Sequence, residues 1–160
     1  MPILAFAQGN TFVCIGGIGI ATVDNTASHY NFGGGYFFEI KEKVSSNLMI
    51  GVSYTANKVI GKAEFPDFNS QSASAISTYF FKPIDTSSKL NIFLKTAGGW
   101  MALKSEGETD NTILGLFGGG LTYDFYEGVK LMVEANVTNF GDEGITAFCP
   151  SIGVSFPLEL

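Results

Sequence analysis

LTYDFYEGVKLMVEANV, residues 121–137, reads as two strands joined by a tight turn. On the first arm Leu121, Tyr123 and Phe125 alternate with Thr122 and Asp124; on the second Val129, Leu131, Val133, Ala135 and Val137 alternate with Lys130, Met132, Glu134 and Asn136. Successive side chains on a strand point to opposite faces, so each arm has one apolar and one mostly polar face. Met and paired charges suit an enclosed, hydrated interior as well as they suit bulk water. A long apolar stripe backed by such a face fits a barrel with lipid outside and a packed polar lumen.

The rest of the chain repeats the pattern. Residues 47–60 give the cleanest case, with Leu48, Ile50, Val52, Tyr54 and Ala56 against Met49, Gly51, Ser53, Thr55 and Asn57. A helix would need apolar residues three and four apart, which the small polar set interrupts. Strands are expected at 11–23, 31–41, 47–60, 71–82, 89–103, 112–125, 129–137 and 145–156. The first is apolar on both faces, so its facing is ambiguous. In the fourth, Ala73, Ala75, Ser77, Tyr79 and Phe81 face out. In the fifth, Leu90, Ile92, Leu94 and Trp100 oppose Asn91, Phe93, Lys95, Ala97 and Gly99. The expected fold is all-β, an eight-stranded antiparallel up-and-down transmembrane β-barrel over residues 8–160. With both termini on the periplasmic side, the outer connections are 24–30, 61–70, 104–111 and 139–144.

Composition agrees. The 160 residues are 46% hydrophobic and only 15% charged, against about 25% charged in soluble domains. So few charges would barely coat a small soluble surface. The net charge is −6, and all nine basic residues are Lys. A phosphate-tracking surface clusters Arg and Lys, so no nucleic-acid partner is expected. No apolar run reaches the roughly 18 residues of a membrane helix, and a closed barrel is the other structure a bilayer admits. The start, MPILAFAQGN, has the small-x-small form of a cleavage site at Ala5-Phe6-Ala7, so residues 1–7 read as a signal-peptide remnant.

With these hairpins, the Gly-rich sixth strand and the closing SIGVSF, the chain resembles small outer-membrane β-barrels of the OmpX or OmpA-transmembrane type. AFAQGNTF resembles the processed start of such proteins of the Bacteroidetes type. Such barrels end on a terminal aromatic, whereas here Phe156 is followed by Pro157-Leu158-Glu159-Leu160. The resemblance implies a location in the cell outer membrane. It implies outer-membrane lipid, lipopolysaccharide and other outer-membrane proteins as partners.

Inward faces carry Glu39, Lys95, Asp124, Lys130 and Glu134. Lys95 and Glu134 are expected at similar depth, with Glu39, Asp124 and Lys130 nearer the periplasmic end. Eight strands leave room inside for little beyond side chains, and buried charges must pair or neutralise. A salt-bridge network that plugs the lumen is the expectation, with a proton or ion path as the sharper alternative. Lys41, Lys43, Lys82 and Lys89 are placed at the periplasmic turns. Cys14, grouped with Ile18 and Ile20, and Cys149, in the inward set, are expected on opposite sides as free buried thiols.

Resemblance to barrel enzymes of this size, the lipid A deacylases and acyltransferases, implies a Ser and His on or near the barrel wall, aided by a carboxylate. The only His is His29, in a loop with Ser28 and Asp24, where held geometry is not expected. The acidic residues Asp24, Glu64, Asp67, Glu106, Glu108, Asp110, Asp142 and Glu143 read as a solvated rim. Glu106, Glu108 and Asp110 form a weak cation-site pattern without calcium-loop spacing. No catalytic residue, metal or cofactor is expected. The function expected is a non-enzymatic barrel, structural, adhesive or accessory to a larger complex. The alternatives are a soluble lipocalin-like barrel for a small apolar ligand, with its apolar stripes inside, and a lipid-modifying enzyme.

Overall fold

The computed structural model describes residues 10–23, 29–62, 65–84, 89–126, 128–140 and 145–158; residues 1–7 fall outside these. Eight strands form: β1 (Thr11–Thr22), β2 (Gly33–Lys43), β3 (Leu48–Val59), β4 (Phe68–Phe80), β5 (Leu90–Ser105), β6 (Glu108–Tyr126), β7 (Val129–Phe140) and β8 (Ile145–Pro157). Each pairs antiparallel with its sequence neighbours, and β1 pairs with β8 from Phe12↔Pro157 to Thr22↔Ala147. Closure leaves no edge along the shared wall.

The period-two pattern resolves with apolar stripes outward. Tyr36, Phe38, Ile50, Val52, Ile92, Phe117, Leu121, Val133 and Ile152 are exposed, while Glu39, Ser53, Ser72, Asn91, Lys95, Glu134 and Asn136 are buried. That polarity is the reverse of what a soluble ligand-carrying barrel requires. Three layers fill the lumen. At the end of the β2–β3 and β4–β5 turns lies an apolar cluster of Phe12, Met49, Phe80, Ile84 and Phe93. At the opposite, loop end lies a second, of Ile20, Val59, Phe68, Met101, Leu114, Ala147 and Cys149. Polar side chains, with a third small apolar cluster of Cys14, Phe37 and Met132, occupy the layer between.

The structure corrects three expectations. First, β1 turns Phe12, Cys14 and Ile20 inward, so Cys14 shares the lumen face with Cys149. Phe12 and Ile20 join the two end plugs and Cys14 packs with Phe37 and Met132, while Ile15 is left to face out. Both thiols are free. Cys14 opposes Ser155, six positions along β8 from Cys149, or about 20 Å, far beyond disulfide reach. Second, the expected loop at 104–111 is largely strand. Ser105 pairs with Glu108, leaving Glu106 (φ 48°) and Gly107 (φ 91°) as a two-residue turn of the type right-twisted hairpins favour. Glu108 and Asp110 therefore lie on a strand. Third, Lys41 is buried in the lumen and not exposed at a turn.

Glycines let this narrow barrel fill itself. Gly16 pairs with both Phe37 and Gly153. A Cβ on Gly16 would stand 2.2 Å from the Ile152 carbonyl oxygen and 2.7 Å from the Phe37 ring, and one on Gly153 would meet the same ring at 2.7 Å. The ring thus lies across two bare backbones, an aromatic covering neighbouring glycines. At outward-facing Gly17 a Cβ would have no neighbour nearer than 3.9 Å. Gly16→Val is expected to cost about 3 kcal/mol or more through overpacking against backbone and to abolish the compact, heat-modifiable form on electrophoresis. Gly17→Ala should retain that form.

A neutral ion cluster as the candidate functional site

Period two places Glu39 and Lys41 on the inner face of β2, Lys95 on that of β5, and Glu134 and Asn136 on that of β7. Because the barrel is narrow, the three strands meet across the lumen. The Lys95 ammonium bridges both acids: it donates to Glu39 Oε1, and to Glu134 Oε2 at 2.9 Å. Lys41 pairs with Glu39 Oε2 at 2.7 Å. Glu134 Oε2 also accepts from Asn136 Nδ2 at 3.0 Å and Ser151 Oγ at 3.3 Å. Ser53 Oγ approaches Glu39 Oε1 at 3.4 Å. The Phe37 ring centroid lies 5.6 Å from Lys95 Nζ, within cation–π range.

Two lysines and two glutamates cancel in formal charge. Glu39 is 1% exposed, and the other three are buried with it. Isolated, each ion would be prohibitively expensive there; paired and hydrogen-bonded, the set is tolerable. Asp124 and Lys130 form a separate pair at 3.4 Å, more open to solvent. Sequence reading missed Lys41, although it lies two positions beyond Glu39 on the same face. It also set Glu39 too near the turn end, whereas Glu39 shares the depth of Lys95.

Above the cluster sits a cavity of about 50 Å³, lined by Ser53, Thr55, Asn57, Ser70, Ser72 and Thr138 among others. That is room for a few waters, which suits Glu134 Oε1, Asn57 Oδ1 and Asn136 Oδ1, buried without a protein partner among the described residues. The two apolar clusters close the lumen above and below this layer. The arrangement can hold water and fixed charge but leaves no room for an organic ligand.

His29 stacks on Phe65, ring centroids 4.0 Å apart; Ser28 and Asp24 lie outside the described residues. Among the acidic residues, Asp67 pairs with Lys58 at 2.9 Å and accepts the Gly61 N–H at 3.0 Å. These two donors, Lys58 foremost, hold its carboxyl below the usual range. Glu64, Asp142 and Glu143 lie outside the described residues. Among those described, no three of His, Cys, Asp and Glu gather as a metal site would need.

No family model and no curated protein matches this chain. Solved structures do. The Neisserial surface protein A barrel superposes with a TM-score of 0.79 at 18% identity, covering 95% of this chain and 99% of that one. The outer-membrane protein OprG of Pseudomonas aeruginosa matches with a TM-score of 0.69 at 7% identity, covering 96% and 98%. The outer-membrane enzyme PagL matches with a TM-score of 0.51 at 12% identity, covering 91% and 99%. This chain has the fold of eight-stranded outer-membrane barrels. At these identities the likeness is one of fold. It gives no support to a Bacteroidetes-type origin for the AFAQGNTF start.

Lys95→Met is expected to destabilise the barrel by about 3–5 kcal/mol, because it leaves Glu134 buried without a cation and takes one of two from Glu39. Lys95→Met/Glu134→Gln should recover much of that loss, since the remaining Glu39 keeps Lys41. Urea unfolding in lipid bilayers measures both; a single variant as stable as the parent would contradict the pairing.

Proposed function

We propose that this chain is an integral outer-membrane barrel without catalytic activity, its lumen plugged and its wall and outer end available to lipid and protein partners. The observation that carries the reading is the polarity of the wall. Charged, amide and hydroxyl groups are buried inside, and aromatic and branched aliphatic side chains cover the outside. Monomeric soluble proteins rarely expose contiguous apolar area beyond a few hundred Å², whereas a bilayer selects this arrangement. A closed antiparallel sheet also satisfies its backbone groups internally, which the hydrocarbon demands.

The likeness to PagL raises the enzyme reading, and the side chains favour the other. A nucleophile needs a base held within hydrogen-bond reach. Cys14 and Cys149 are buried in apolar clusters, and the single histidine is stacked on Phe65. The role that remains is structural, adhesive or accessory. Lipopolysaccharide and neighbouring outer-membrane proteins are the partners a lipid-embedded wall would meet.

Detergent dependence tests the reading. The purified chain should stay monodisperse in detergent and aggregate when detergent is removed, and in planar bilayers it should carry no large stable conductance. A protein monodisperse in plain buffer would overturn the membrane assignment; a large stable pore would overturn the plug.

A further inference from the structure

The nine lysines are distributed unevenly. Lys41, Lys95 and Lys130 are inside the lumen, and Lys43, Lys82 and Lys89 lie toward the end of the β2–β3 and β4–β5 turns. The remaining three, Lys58, Lys62 and Lys104, lie at the loop end, all between β3 and β5. The other strands contribute none there.

Register aligns two of them. Lys58 pairs with Asn69, and Asn69 pairs with Lys104, so one row across three adjacent strands reads Lys–Asn–Lys. All three residues are exposed and have the outward parity of their strands. Their backbones span two strand spacings, about 10 Å, and long lysine stems let both ammonium groups reach a common ligand. Lys58 is steadied by Asp67, which takes up part of its charge but leaves N–H groups free. Glu108 and Asp110 belong to the opposite face of the β5–β6 hairpin by parity.

The wall beneath the row is built differently from the rest of the belt. The next outward rows are Ala56–Gln71–Ala102, then Tyr54–Ala73–Trp100, then Val52–Ala75–Gly98, then Ile50–Ser77–Thr96. Down β4 the outward residues are therefore polar and then small, with Tyr54, Val52 and Ile50 raised on one side and Trp100 on the other. Beginning three rows below the lysines, a depression in the outer surface is lined by Val52, Ala75, Gly98, Ile50 and Ser77 and reaches Ile40 and Glu42 toward the turn end. Gly98 has nothing within 4 Å of the place a Cβ would take. Trp100, 74% exposed, stands where an interfacial aromatic belongs, between the polar rows and the apolar wall.

We propose that this strip is a binding site for a phosphorylated, acylated sugar lipid of the outer leaflet: its phosphate seats on Lys58 and Lys104, and one acyl chain lies in the trough below Asn69. The assignment rests on the membrane reading above. It goes further by choosing one face of the barrel, two cations and one class of lipid. Charge-assisted bonds from two ammonium groups favour a phosphate over a neutral headgroup. The combination of cations, hydrogen-bonding amides at Asn69 and Gln71, and a strip of small residues leading down to the depression favours a sugar phosphate over a simple phospholipid.

The test is native mass spectrometry of the full chain released from detergent in the presence of diphosphoryl lipid A, dephosphorylated lipid A or phosphatidylglycerol. Heat-modifiable mobility reports separately whether each variant is folded. Diphosphoryl lipid A should be retained at least tenfold better than the other two. Lys58→Gln/Lys104→Gln should lower that retention at least tenfold with the barrel still folded, while Lys43→Gln/Lys89→Gln should leave it unchanged. Equal retention of phosphatidylglycerol, an unaffected Lys58/Lys104 variant, or a second copy of the chain on this face in place of lipid would overturn the proposal. A parent chain that never acquires the compact form in detergent would instead overturn the membrane reading beneath it.

Discussion

An ammonium group held between two carboxylates near the middle of the lumen sets the rest of the structure. Lys95 on β5 reaches Glu39 on β2 and Glu134 on β7, so three strands distant in sequence are committed to one face-in choice. Because side chains alternate strictly, turning any of these strands over would bury its apolar stripe and expel an ion from its partners. The attraction is not free stabilisation, since burying the ions costs several kcal/mol each. Its value lies in specificity: only one register and one facing bring the four charges together with zero sum.

Around that layer the lumen is finished with shape. Phe37 lies over Gly16 and Gly153, and Phe93 approaches Gly120, where a Cβ would sit 2.9 Å from its ring. Large inward residues on one strand thus occupy space left by glycine on the next, which is how eight strands enclose side chains and little else. Apolar clusters close both ends, and the small chamber between them, walled by polar side chains and by the loop-end cluster, holds water-sized space. A barrel so filled leaves its wall and its ends as the surfaces open to contact.

Much of this was legible in the residues because period two is a strict signal. Residues 121–137 and 47–60 gave their facing without ambiguity, and the outward Leu90–Ile92–Leu94–Trp100 stripe followed from the same count. Where the reading failed, another constraint had overridden the pattern. β1 is apolar on both faces, so alternation could not orient Cys14, and the demands of the end plugs did. Residues 108–111 read as loop because they are polar, yet they pair with β5 beyond the Leu114↔Phe140 end of the β6–β7 pairing, are exposed on both faces and need no apolar stripe. Lys41 was within reach of the count from Glu39 but was read as a turn residue.

The depth of Glu39 could not be counted from turns. Hydrogen-bonded rows run obliquely round a tilted barrel: Glu39 pairs with Ser53, Ser53 with Ser74, and Ser74 with Gly99, four residues beyond Lys95 on β5. Shear of this kind emerges only on closure. It brings residues together that a strand-by-strand reading sets at different levels.

The membrane barrel depends on which side of the wall meets hydrocarbon, and the chain carries its own probe. Trp100 is the single tryptophan, outward on β5 and largely exposed. In vesicles reconstituted with lipids brominated along their acyl chains, its fluorescence should be strongly quenched, and aqueous iodide should scarcely reach it. Efficient quenching by iodide with none by the brominated chains would contradict the outward assignment of the apolar stripes, and with it the membrane barrel.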